Sequence, residues 1–137
     1  MTDPQPTPDR GSTGLLGALL GILAACVNPA EPPGGTPMTA PPASLWEAME
    51  ACSGRSGDPD RVAWYAVPPD SGPFFRWDGA ARAGLWVRPH AIYLAAPYAS
   101  DPLLIQHEML HDLLQTGTHP DAFTRCGVRY PVLVEIP

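Results

Sequence analysis

The sequence predicts an α+β domain in which a short antiparallel sheet packs on one main helix, with a further helix at the N-terminal side. Three observations lead there. Leu45, Ala48, Met49 and Cys52 fall on one face of a helical repeat. Runs rich in β-branched and aromatic residues then follow, punctuated by turn residues. After Pro102 the apolar period is helical again.

Taken in order, residues 1–25 hold an uninterrupted small and apolar run, Gly14 to Ala25, that ends Leu23-Ala24-Ala25-Cys26. Its 12 residues fall short of the roughly 20 a transmembrane helix needs and suit the apolar core of an export signal. The stretch resembles a bacterial lipoprotein signal with its lipobox. That resemblance implies cleavage before Cys26, a lipid on the Cys26 thiol and acylation of the new amino group. Val27 after the cysteine is, in that family's sorting pattern, compatible with the periplasmic side of the outer membrane if the organism has one. Residues 26–42 are rich in Pro and Gly and lack an aromatic or long aliphatic run, so they read as a tether. The folded domain is then expected over 43–137.

Within it, Ser44 is positioned to cap a helix from Leu45 to Ser53, and Gly54 to end it. Residues 53–60 read as a loop. Strands are expected at Arg61–Val67, Phe74–Asp78, Arg82–Val87 and His90–Ala95, separated by Pro68-Pro69-Asp70-Ser71-Gly72, Asp78-Gly79 and Arg88-Pro89. The main helix opens with Ser100 or Asp101 as cap and Pro102 at its first position. Leu103, Leu110, Leu113 and Leu114 share one side with Met109 at its edge, and His107, Glu108 and His111 share the neighbouring side. Gly117 is the expected left-handed residue at the exit.

The chain carries eight Arg, no Lys and a formal net charge of −6. The arginines are scattered singly, so no basic stripe exists to follow a phosphate backbone, and nucleic-acid binding is disfavoured.

The chemistry concentrates at His107-Glu108-Met109-Leu110-His111. Residues four apart on a helix lie on one face, so the two imidazoles can aim at one point with a carboxylate beside them, the geometry of a zinc-hydrolase helix. A catalytic zinc takes three protein ligands and keeps a position open. His119 is the nearest third ligand, and Glu135 is the alternative. The run His107-Glu108-Met109-Leu110-His111, a seven-residue spacer, then His119-Pro120-Asp121-Ala122-Phe123 is similar to the HExxH…HxxxF pattern of the minimal zinc peptidases of the SprT-like, WLM and YgjP-like groups. The resemblance implies a zincin-like fold, zinc on His107, His111 and His119, Glu108 as general base, peptide substrates and Phe123 in the core. Tyr98, Arg129 and Tyr130 are available as oxyanion donors. Asp112 and Asp121 are placed to accept imidazole N–H groups, and His90 reads as a surface residue at a sheet edge, where His90 to Ala95 can pair with an extended substrate.

With Cys26 lipidated, Cys52 and Cys126 are left to form one disulfide. These readings lead to a lipid-anchored envelope zinc metallopeptidase. The rival is a non-catalytic envelope lipoprotein whose zinc only staples the fold or serves a partner. Glu108 separates the two, because a structural site needs no general base.

Overall fold

A computed structural model of the chain describes residues 33–129. Cys26, the export signal, Tyr130 and Glu135 lie outside the described residues.

The elements run β1 (Thr36–Pro37), α1 (Ala43–Ser53), β2 (Ala63–Val67), β3 (Phe75–Trp77), β4 (Ala80–Arg82), β5 (Gly84–Val87), β6 (Ala91–Ala95), α2 (Pro102–Leu114) and α3 (Ala122–Arg125). The fold is α+β, as expected, but its sheet is mixed. Strand order is β1-β2-β6-β5, with β1 on β2 and β5 on β6 antiparallel and the central β2–β6 pair parallel. β3 and β4 leave this sheet and form a separate antiparallel hairpin. The return from β2 to β6 runs through that hairpin and β5, long enough for the crossover that a parallel pair requires.

The hairpin turn is the one expected. Asp78 and Gly79 both have positive φ, 48° and 76°, the mirror-image turn whose twist matches two short strands. The run expected to be one strand, Arg82–Val87, breaks at Ala83. Its carbonyl accepts the Ala95 N–H at 2.7 Å while Arg82 belongs to the hairpin and Gly84 to the sheet.

Both faces of the sheet are covered. Trp64, Trp86, Ile92 and Leu94 face the helices, in one core with Trp46, Met49, Leu104, Ile105, Met109, Leu110 and Phe123. Val67, Phe75, Tyr93 and Ala95 form a second cluster with Tyr65, Trp77 and Leu85. This explains why β6 is apolar along its whole length instead of alternating. Tyr65 and Tyr93, paired across β2 and β6, stack at 4.8 Å.

Two boundaries move. α1 begins at Ala43 with no side-chain cap, so Ser44 lies inside the helix, and Gly54 ends it at φ 70°. The tether expected over 26–42 ends earlier. Thr36 and Pro37 pair with Ala66 and Tyr65, and the Met38 N–H donates to the Trp64 carbonyl at 3.0 Å. Main-chain bonds to an open sheet edge hold a segment with little apolar content of its own.

α2 starts as expected, with Asp101 Oδ1 accepting the N–H groups of Leu103 and Leu104. Its buried face is rotated from the expected one: Leu104 and Ile105 are in the core, whereas Leu103 is 54 % exposed. The left-handed residue at its end is Gln115 (φ 51°), in place of Gly117. Gln115 is held there by its own amide, which donates to the Pro89 and Asp112 carbonyls at 2.9 and 2.8 Å.

Among the described residues, no helix is long and apolar enough to cross a membrane. Cys52 and Cys126 form a disulfide, Cα–Cα 5.5 Å, that joins α1 to the end of α3.

Candidate metal centre

Helix α2 carries His107, Glu108, His111 and Asp112 all buried, a costly arrangement unless each group finds a partner. The imidazoles find theirs in backbone carbonyls. His107 Nδ1 donates to Val128 O and His111 Nδ1 to Thr116 O, each at 2.7 Å. A carbonyl only accepts, so each Nδ1 carries the proton and each Nε2 presents a lone pair.

Those lone pairs converge. His107 Nε2 is 3.2 Å from His111 Nε2 and 3.1 Å from His119 Nε2, and one nitrogen from each of the three lies within 4.8 Å of the others. Three histidines are therefore close enough to hold a metal ion. The donor set fits one: with Zn–N bonds of about 2.05 Å, tetrahedral ligands stand about 3.3 Å apart. Facing unprotonated nitrogens at such distances repel unless a cation lies between them.

His119 reaches the cluster because the chain turns sharply after α2. The Thr116 N–H returns to the His111 carbonyl, and the Thr116 carbonyl takes the His111 imidazole, so one residue fixes both the turn and a ring. Phe123, fully buried, forms the floor at 4.6 to 4.9 Å from the three imidazole centroids. Its inward place is the one the family resemblance implied.

Burial lowers all three histidines. It is the largest influence on His107, exceeding its Val128 bond, and brings His111 to about 4. His119 is lowered by burial and then by the Arg129 charge. They stay neutral at neutral pH, the state that binds a metal. Burial pushes the Glu108 carboxyl up to about 8, against the Arg82 charge and a hydrogen bond from the Trp86 backbone N–H.

The site opens on a cleft of about 480 Å³ lined by residues 81–86, Leu104, the three histidines, Glu108, Gly117 and Arg129. β5 is an edge strand of the sheet and β6 is interior, so the exposed edge beside the site is Gly84–Val87 and not His90–Ala95. Of the oxyanion candidates, Arg129 lines the cleft, while Tyr98 stacks on Phe74 at 5.8 Å.

Asp112 accepts an imidazole, as expected, but that of His90, at 3.1 Å; it also takes the Trp86 indole N–H at 2.8 Å. His90 is thus tied to the helix and not a bland surface residue. Asp121 is exposed at the start of α3 and makes no side-chain cap. Sequence reasoning missed Arg82, Gly84 and Trp86. Nothing in a linear pattern marks them, since strand register alone brings them against Glu108.

Comparison of the chain with protein-family models, with curated proteins and with solved structures finds no match.

Proposed function

We propose that the protein is a zinc-dependent, peptidase-like hydrolase held at the cell envelope by a lipid on Cys26. The observation that supports this most is a buried carboxyl, Glu108, beside three convergent imidazole nitrogens on the wall of an open cleft. A stapling site has no use for a general base there, and no fourth protein ligand accompanies the three histidines among the described residues.

His107, His111 and His119 would hold the zinc. When bound, it lowers the pKa of water toward neutrality and polarises a carbonyl. A divalent charge at the histidines also favours the carboxylate form of Glu108. Glu108 then takes the proton from the attacking water and passes it to the leaving amine. The Trp86 N–H keeps the carboxylate aimed while it does so. Arg129, on the cleft wall near His119, is the group placed to donate to the developing oxyanion. The edge of β5 gives an extended peptide a strand to pair with.

The test is metal analysis and peptide hydrolysis on the full chain, comparing wild type with Glu108→Gln. Stoichiometric zinc in both, with hydrolysis lost by at least about a hundredfold in the variant, is expected. Equal activity in both, or none in either, would leave only a stapling metal. Cys26→Ser is expected to move the protein from the membrane to the soluble fraction.

A further inference from the structure

Arg82 is the charged residue among those lining the cleft that the proposed hydrolysis does not use. It ends β4, two residues before the edge strand β5 begins, and its side chain lines the same cleft as Glu108 and the histidines. It is half-buried, and its Nε is shut off from solvent with no hydrogen-bond partner among the described residues. Its charge is felt at Glu108. Arg129 adds a second guanidinium on the same cleft, beside His119.

Two guanidinium groups on one cleft contrast with a chain whose net charge is −6. Glu108 is the one acid among the lining residues. A guanidinium offers a planar fork of donors that matches a carboxylate. A peptide laid along the β5 edge runs past Arg82 at one end of the strand.

Resting on the hydrolase reading above, we propose that Arg82 selects peptides bearing a carboxylate close to the scissile bond, either a free C-terminus or an Asp or Glu side chain. The interaction is non-covalent, and Arg82 touches the substrate away from the reacting carbonyl. It is a specificity residue.

The experiment uses the full chain loaded with zinc and three fluorescent peptides of one sequence: a free acid with an internal Glu, its C-terminal amide, and the free acid with that Glu replaced by Gln. Binding is measured on Glu108→Gln protein by anisotropy, and cleavage on wild type. Loss of one of the two carboxylates is expected to weaken binding by about tenfold, as suits a charge-assisted contact. Which carboxylate it is identifies the source. In the Arg82→Gln, Glu108→Gln double variant the three peptides should bind alike, and Arg82→Lys in the same background should retain part of the preference. Zinc stoichiometry of each variant reports that the site is intact.

Equal binding of all three peptides to the Arg82-containing protein overturns the proposal, as does a preference that survives Arg82→Gln. Selective binding through Arg82 without Glu108-dependent cleavage would sink the hydrolase reading and keep the carboxylate site. Cleavage without carboxylate preference would do the reverse.

Discussion

A Cβ at Gly84 would stand 2.5 Å from Glu108 Oε1 and 2.9 Å from Leu104 Cδ1. Only a residue without a side chain lets the β5 backbone come this close to the carboxyl. Gly84→Ala must push the carboxyl off its Trp86 hydrogen bond or spread β5 from α2. Misplacement of a reacting group by about 1 Å can cost about a hundredfold in rate. We therefore expect kcat/KM to fall by about that factor while zinc is retained, because the imidazoles hang from other contacts; steady-state kinetics with metal analysis checks both. At this scale the sequence was informative about the helix and silent about the wall. His107, Glu108 and His111 are fixed by helical spacing, whereas the closeness of Gly84 to Glu108 depends on how a strand lies against a helix. His119 was legible as the nearest histidine, but the turn that delivers it uses Gln115 in the left-handed region, supported by contacts that no local pattern encodes.

Beyond α2, which carries His107 and His111, α3 and the segment after it support the candidate metal centre. Phe123 supports the three rings, the Val128 N–H donates to the Phe123 carbonyl at 3.0 Å, and the Val128 carbonyl holds the His107 imidazole. The Cys52–Cys126 bond pins this segment to α1. It closes a loop with a sequence separation of 74 residues, for which chain entropy gives a stabilisation of about 4 kcal/mol. Reduction, or Cys52→Ser with Cys126→Ser, should lower the melting temperature. It should also weaken zinc affinity by about tenfold, the lower range for loss of a group that orients a ligand. Competition with a chromophoric chelator measures the second effect, and an unchanged affinity would show that the segment is held without the disulfide. The pairing itself was legible, because two cysteines remained once Cys26 was assigned to lipid. Strands β2, β3, β5 and β6 were legible, but β1, the break at Ala83, the separate hairpin and the parallel centre were not. An apolar run such as Ala91–Ala95 is equally compatible with any strand buried on both faces.

For the whole molecule, the buried acid and the buried histidines make stability depend on pH in opposite senses. His111 is lowered from 6.5 to about 4. Below its ordinary value the unfolded chain binds protons that the folded chain refuses, so stability is lost as pH falls from about 6.5 toward 4. Glu108 is raised from 4.5 to about 8. The folded chain keeps a proton that the unfolded chain releases, so its contribution is complete below about 4.5 and is lost as pH rises toward 8. Between about 6.5 and 8 the acid acts with little opposition from His111. The metal-free protein should therefore melt at lower temperature at pH 8 than at pH 6.5, and Glu108→Gln should flatten that slope. Calorimetry on the chelated protein decides it. Zinc should abolish the difference, because the ion favours the charged acid and the neutral imidazoles together.

The short strand β1 has a bearing on where the proposed hydrolase would work. Because Thr36 and Pro37 are already stitched to β2, the proposed lipid on Cys26 would leave Val27 to Gly35 as the leash to the body of the domain. Fully drawn out, a leash of that length reaches about 30 Å. On the proposed anchoring, the cleft would be confined to a thin layer above the bilayer. Encounter with a substrate would then become a search within a surface instead of a volume, and proteins at that surface would be met at a far higher local concentration than those deeper in the compartment.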